Sequence, residues 1–136
     1  MTSEYKQIPK DYAETLEAIV AGDMYLVAGE PMLYKDVEEY LDKHPNLDMD
    51  DVMPCTLKEY LEDRTFNIEY RCNEYCEYVS VRVCITWKGP RVYVDTGDQM
   101  VHMYWGSEHT AYRISYEVCK AFDMMNEYRY EIVRRL

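Results

Sequence analysis

The sequence predicts an α+β fold: short N-terminal helices, then a four-stranded antiparallel β meander, then a long C-terminal helix packed on the sheet. Apolar residues recur at helical spacing through the first 64 residues, alternate with a period of two from residue 65 to residue 105, and return to helical spacing near the end. The chain has 136 residues, 48% of them hydrophobic, which suits the core of one domain. We therefore expect residues 1–136 to form a single domain, with an acidic helical part (1–64) and a meander-plus-helix part (65–136).

The first helix is predicted from Pro9 to Ala21. Its apolar residues fall on one stripe at helical spacing, formed by Tyr12, Leu16, Ile19 and Val20. Proline is favoured at a helix start, and Gly22 suits the C-terminal stop. The apolar run Met24–Ala28 that follows fits either a strand or an extended connector.

Two more helices are predicted in the acidic half. The segment Leu33–Lys43 repeats the helical spacing, and the proline of His44-Pro45-Asn46 ends it. Residues 47–54 are acidic and are predicted to form a loop. A third, short helix begins after Thr56, since Thr56 and Glu59 fit a capping box. Its apolar face consists of Leu57, Tyr60 and Leu61.

The period-two segment predicts four strands that share one apolar face. Apolar residues occupy alternate positions from Phe66 to Cys72 and odd positions from Val79 to Trp87. A two-residue turn at Asn73-Glu74 pairs Ile68 with Val79 and keeps both on this face. Two further turns, at residues 88–91 and 96–97, add two strands whose apolar positions are Val92, Val94, Val101, Met103 and Trp105.

The last helix is predicted to start between Ser107 and Ser115 and to cover the apolar face of the sheet. Its stripe consists of Ile114, Val118, Ala121, Phe122, Met125 and Ile132. The opposite sheet face carries a mixture of aromatic and polar residues: Tyr78, Ser80, Arg82, Cys84, Tyr93, His102 and Tyr104. Because the N-terminal helices need a surface to pack on, we expect them to cover part of this face.

Negative charge is concentrated in the first half of the chain. The net charge is −11, and residues 1–64 contribute −10 of it, from 16 acidic and 6 basic side chains. Such a field repels nucleic acid and attracts basic surfaces. An acidic surface also serves simple solubility, which is the alternative explanation.

The expected compartment and the expected lack of cofactors rest on sequence motifs that do not occur. No apolar run reaches the roughly 18 residues needed to span a bilayer, and the N-terminus lacks the regions of a signal peptide. We therefore expect a cytoplasmic protein with no membrane partner. The five cysteines are an odd number, as is typical of free thiols. Their spacing fits no zinc site, and no phosphate-binding glycine motif occurs, so we expect neither a metal nor a cofactor.

One triplet, Asp95-Thr96-Gly97, is similar to the active-site motif of aspartic proteases. Those enzymes use two such aspartates, which share a proton. This chain has one copy, and Asp98 follows it where that family usually has alanine or serine. We therefore expect a hairpin turn here and no enzymatic activity.

A stretch of turns and aromatic residues resembles small acidic proteins of unknown function that are carried on phages and other mobile elements of gut bacteria. The resemblance covers roughly residues 78–130. It rests on Trp87-Lys88-Gly89-Pro90, Val92-Tyr93-Val94-Asp95-Thr96, Tyr104-Trp105-Gly106, Tyr112 and Ile114. It implies a setting in which such proteins bind host defence proteins, as anti-CRISPR and anti-restriction proteins do.

Two functional hypotheses follow. The first is an acidic inhibitor that imitates nucleic acid and binds a basic, nucleic-acid-binding host protein, such as a CRISPR or restriction nuclease, without binding nucleic acid itself. Its predicted contact residues are Asp36, Glu38, Glu39, Asp42, Asp48, Asp50, Asp51, Glu59, Glu62 and Asp63, with Tyr34, Tyr40 and Tyr60 as anchors. The second is a general interaction or assembly module without catalytic activity, which works through the tyrosine-bearing sheet face or through homodimerisation.

Overall fold

Four α-helices and two antiparallel sheets make up the part of the chain that the computed structural model describes, residues 3–136 (side chains from residue 6). The helices are α1 (Ser3–Ala21), α2 (Tyr34–Lys43), α3 (Leu57–Leu61) and α4 (Tyr116–Val133). The smaller sheet has the order β2-β1-β3 and contains β1 (Met24–Val27), β2 (Glu30–Leu33) and β3 (Val52–Pro54). The larger sheet has the order β4-β5-β6-β7-β8 and contains β4 (Asn67–Cys72), β5 (Tyr78–Thr86), β6 (Arg91–Asp95), β7 (Met100–Trp105) and β8 (Glu108–Arg113). The α+β class is confirmed, with five strands in the main sheet instead of four. Within residues 3–136, no helix is both long enough and apolar enough to cross a bilayer.

The smaller sheet lies in the acidic half, where helices, a strand or connector at Met24–Ala28, and a loop were predicted; the strand alternative is the one that the structure has. β1 and β2 are joined by the two-residue turn Ala28-Gly29, whose φ angles are 50° and 88°. Positive φ at both positions is the signature of a tight hairpin turn that matches the strand twist. On the other side β1 pairs with β3. The predicted loop at residues 47–54 therefore contains a 3₁₀ turn, Met49–Asp51, followed by β3.

The pairing of β4 with β5 differs from the predicted register. Ile68 lies opposite Val83, not Val79. The connection between the two strands is longer than two residues, since it runs from Asn73 to Glu77. It is held by Asn73 Oδ1, which accepts hydrogen bonds from the backbone N–H groups of Tyr75 and Glu77. The difference between the two registers is an even number of residues, so the apolar face is preserved.

Two bulges in β5 redirect the side chains at its ends. The pairing of β5 with β4 skips Val79, and its pairing with β6 skips Ile85. Because one extra residue reverses the alternation of faces, Tyr78 contacts α4 on the inner side of the sheet. Trp87, just beyond the other end, is 51% exposed. The predicted positions of Tyr78 on the opposite face and Trp87 on the apolar face are wrong for this reason.

The core lies between the inner face of the larger sheet and the helices α1 and α4. Its most deeply buried members include Leu16, Val81, Val83, Val92, Val94, Val101, Met103, Val118 and Phe122. α1 packs along β7 and β8, α4 packs on β5, and the two helices touch each other. The expectation that the N-terminal helices cover the outer face is therefore wrong. Five strands at about 4.8 Å spacing form a face wide enough for two helices, each about 10 Å across.

Two further boundaries differ from the prediction. α1 begins at Ser3, so Pro9 lies inside the helix, where its buried side chain packs in the interior and offsets the lost backbone hydrogen bond. β8 occupies residues in which a helix start was expected. α4 begins only after Ser115, whose Oγ caps it by accepting a hydrogen bond from the N–H of Val118.

Candidate interaction surfaces

The outer face of the larger sheet is the side opposite α1 and α4, and it carries polar and aromatic residues. One cluster joins β4, β5 and β6. Arg71 donates two hydrogen bonds of 2.7 Å to the carboxylate of Asp95 and one of 3.2 Å to Ser80 Oγ. Asp95 also accepts a bond from the N–H of Gly97 at 2.8 Å. Burial alone would raise the pKa of Asp95, but Arg71 and the backbone donors outweigh it and lower that pKa.

A second cluster lies beside the first and consists of Arg82, Tyr93, His102, Tyr104 and His109. The guanidinium carbon of Arg82 is 4.1 Å from the ring centre of Tyr93 and 5.6 Å from that of Tyr104. These distances are typical of cation–π contacts. The rings of Tyr104 and His109 stack, with centres 4.5 Å apart. We call these five residues the Arg82 cluster.

A chain of hydrogen bonds runs through the imidazoles of this cluster. Nε2 of His102 is 2.6 Å from Oδ2 of Asp98, and Nδ1 of His102 is 2.8 Å from Nε2 of His109. The bond between the two imidazoles needs one donor and one acceptor, so it is lost when both rings are protonated. Burial, with smaller contributions from His102 and Arg82, lowers the pKa of His109. Protonation of His109 is therefore shifted to lower pH.

Three of these side chains have ligand atoms close enough to suggest a metal. One atom from each of Asp95, Asp98 and His102 lies within 4.8 Å of the other two. However, Asp95 is already bound by Arg71 and Gly97, and the His102 nitrogen that faces this group is bound to Asp98. The three residues therefore already take part in an ion-pair and hydrogen-bond network.

Two tryptophans are exposed at one end of the larger sheet, one just after β5 and the other at the end of β7. Trp87 and Trp105 are 51% and 43% exposed. The guanidinium of Arg91 lies 4.1 Å from the Trp87 ring. These three residues, with Tyr104, Gly89 and Gly106, line a groove of about 390 Å³. Exposed tryptophan beside arginine is the composition of protein-binding hot spots.

The ten predicted acidic contact residues are all exposed. Glu39 forms an ion pair with Lys43 at 2.9 Å. Three others hold local structure: Asp48 and Asp51 cap the 3₁₀ turn, and Glu59 accepts a bond from Thr56. The remaining six make no side-chain hydrogen bond or ion pair with any described residue: Asp36, Glu38, Asp42, Asp50, Glu62 and Asp63. We refer to these ten residues as the acidic surface.

The residues of the acidic surface lie in two parts of the structure, one around α2 and the 3₁₀ turn and the other at α3. Glu38 and Asp42 line a groove of about 380 Å³ along α2, together with Tyr34, Val37 and Met49. Met49 belongs to the 3₁₀ turn, so α2 and this acidic turn border the same groove. Glu59 lies on α3, and Glu62 and Asp63 follow its end. α3 packs against α1 and α4.

The three predicted tyrosine anchors occupy different environments. Tyr34 is 60% exposed, and its ring is 5.2 Å from that of Tyr25. Tyr40 is half-buried and stacks on His44, with ring centres 4.0 Å apart. Tyr60 is buried in the core, with Arg64 stacked on its ring. Its position follows from the apolar stripe it shares with Leu57 and Leu61, so we do not retain it as a contact residue.

The Asp-Thr-Gly triplet and the cysteines occupy defined places in the fold. The Asp95-Thr96-Gly97 triplet forms the turn between β6 and β7, where Thr96 bonds to Asp123 and to the backbone of Val81. Cys55, Cys84 and Cys119 are buried, and Cys72 and Cys76 are exposed. Burial raises the pKa of Cys119 to about 11, which keeps this thiol protonated at neutral pH.

Sequence reasoning placed Arg82 and His102 on the outer face but missed Arg71, Asp98 and His109 as their neighbours. The contacts of Arg71 with Asp95 depend on strand pairing between residues 24 positions apart. His109 lies on the strand that was not predicted. No protein family, curated protein or solved structure matches the chain, so these surfaces are interpreted from their own chemistry.

Proposed function

We propose that this protein is a non-catalytic inhibitor that binds a basic, nucleic-acid-handling protein through its acidic surface. The observation that supports the proposal is the exposure of all ten carboxylates, of which only Glu39 is neutralised by an ion pair in the described chain. Unpaired carboxylates gain most from a partner that supplies lysine and arginine side chains. A groove that binds phosphates is such a partner.

The α2 groove is the best starting point for contact. It combines free carboxylates, Glu38 and Asp42, with the exposed side chains of Tyr34 and Met49. Aromatic and methionine side chains add buried area that charge alone does not provide. The resemblance to acidic proteins of mobile elements is consistent with a host defence nuclease as the partner.

The test compares two variants that lose equal charge. In the first, Asp36→Asn, Glu38→Gln and Asp42→Asn neutralise α2. In the control, Glu74→Gln, Glu108→Gln and Glu127→Gln neutralise three exposed residues outside the acidic surface. Each protein is immobilised, exposed to a bacterial lysate and washed with increasing salt, and the captured proteins are identified by mass spectrometry.

We expect the native protein and the control to retain the same nucleic-acid-binding proteins, which added DNA displaces, and the α2 variant to lose them. Binding should weaken steeply with salt, since the screening length falls from about 10 Å at 0.1 M to about 3 Å at 1 M. If both variants capture the same proteins equally, or if DNA does not compete, the acidic surface is not the binding site.

A second candidate function is supported by the exposed Trp87–Arg91–Trp105 end of the sheet. Here the protein is an interaction module or a homodimer that uses the sheet side of the molecule. Light scattering separates the possibilities: a dimer that persists at high salt and dissociates on Trp87→Ala with Trp105→Ala supports homodimerisation. A monomer at all salt concentrations refutes it.

A further inference from the structure

The Arg82 cluster contains a cation without a counter-ion. In the described chain Arg82 makes no hydrogen bond and no ion pair. Its Nε atom is fully buried and has no acceptor. Most buried polar groups in native proteins have a partner, so this unsatisfied donor calls for an explanation.

The nearest acidic residues do not supply that partner. The residues paired with Arg82 on the neighbouring strands are Glu69 on β4 and Asp95 on β6. Asp95 is held by Arg71, and Glu69 lies beyond ion-pair distance of Arg82 in this structure. Asp98, the next carboxylate in this region, binds His102. Asp95 and Asp98 are therefore bound to other donors, and Arg82 has no ion-pair partner among the described residues.

The tyrosines hold the guanidinium in place. Contact with the rings of Tyr93 and Tyr104 fixes the plane of the guanidinium without using its N–H groups in hydrogen bonds. A pre-oriented guanidinium loses little freedom when it binds an oxyanion, and its fork of donors matches the two oxygens of a carboxylate. The guanidinium itself supplies the donors, since both ring nitrogens of His102 are already hydrogen-bonded, to Asp98 and to His109.

We propose that the Arg82 cluster is a binding site for a carboxylate group. A carboxylate is favoured over a phosphate because a monoanion meets less repulsion from Glu69 opposite Arg82 and from a chain of net charge −11. Nucleic acid, as a polyanion, is disfavoured most strongly. The carboxylate belongs either to an acidic side chain of a protein or to a small organic acid. This proposal is independent of the function proposed for the acidic surface.

Nuclear magnetic resonance at constant ionic strength tests the proposal on the intact protein. The probes are sodium acetate, a short peptide with one glutamate and blocked termini, inorganic phosphate and, as the control, sodium chloride. The signals are the Nε–H group of Arg82 and the backbone amides of Tyr93 and His109. We expect saturable shifts with acetate and the peptide, weaker binding of phosphate and no saturable shift with chloride.

Three variants locate the binding. Arg82→Gln should weaken acetate binding about tenfold or more, and Arg82→Lys, which keeps the charge but not the fork, should weaken it less. Arg135→Gln, an exposed arginine near the end of α4, should leave it unchanged. The dispersion of the sheet amides verifies that each variant is folded, and Arg82→Lys serves as the test if Arg82→Gln does not fold.

The outcomes separate clearly. Tighter binding of the peptide than of acetate supports the proposal with a protein side chain as the source, and equal binding supports it with a small acid. Tighter binding of phosphate than of acetate overturns the preference for a carboxylate. Shifts that do not saturate, or that persist unchanged in both Arg82 variants, overturn the site itself.

Discussion

Replacement of Arg71 by alanine should destabilise the protein by about 2 kcal/mol. The side chain of Asp95 is only 7% exposed, whereas that of Arg71 is 48% exposed. The expected loss therefore lies between the roughly 0.5 kcal/mol of an exposed ion pair and the roughly 4 kcal/mol of breaking a buried one. Asp95 keeps the backbone bond from Gly97, which limits the loss. For a domain of this size, 2 kcal/mol corresponds to a fall in Tm of about 6–10 °C.

The assay is urea unfolding of the native protein and Arg71→Ala, followed by circular dichroism at several pH values. The folded-state pKa of Asp95 is lowered, so the stabilisation should be complete above about pH 5 and should disappear as the pH falls through that lowered pKa, below its usual value near 3.9. Lys43→Ala, which breaks the exposed pair with Glu39, is the control and should cost less than about 0.5 kcal/mol. A loss from Arg71→Ala as small as that of the control, or one that does not change between pH 7 and pH 3, would refute the reasoning.

Three further predictions concern the same sheet and the thiols. Gly97→Ala should destabilise the protein and add little to Arg71→Ala, because a Cβ at this position would lie 2.8 Å from the Arg71 Nη1 atom; additive losses in urea unfolding would contradict a shared cause. A thiol reagent should label only Cys72 and Cys76 of the native protein and all five cysteines in denaturant; fast labelling of a third thiol without denaturant would disprove the burial assignment. Because the folded-state pKa of His109 is lowered, stability should fall as the pH drops below its unfolded value of about 6.5, and His109→Asn should flatten this dependence; an unchanged pH profile in the variant would count against the imidazole pair.

Periodicity predicted the elements whose stability depends on one amphipathic face. The stripe of α2 and the alternation in β5, β6 and β7 were sufficient because each of these elements buries a single side. β8 could not be found in this way, since Glu108–Arg113 has an irregular pattern and owes its place to pairing with β7 and packing against α1. The bulges at Val79 and Ile85 could not be predicted either, because they depend on how β5 pairs with β4 and with β6.

The candidate surfaces also combine features that the sequence predicts with features that it does not. Exposure of the carboxylates was predictable, since ionised groups without partners remain in water. The sequence could not decide whether Tyr60 is buried, because tyrosine suits both an apolar stripe and an exposed surface. The packing of the core decides it. The alternation placed Arg82, Tyr93, His102 and Tyr104 on one face. The Arg71–Asp95 pair and the contacts of His109 were not predictable, because they depend on the register of strands that pair across the sheet.

The position of α1 has a consequence for synthesis of the chain. This helix is made before β7 and β8, which come from residues 100–113 and on which it rests. At ordinary synthesis rates its apolar stripe waits on the order of ten seconds before those strands emerge from the ribosome. α1 can bury its apolar stripe only after β7 and β8 have formed. A nascent or truncated chain that ends before residue 108 should therefore be prone to aggregation and should depend on chaperones.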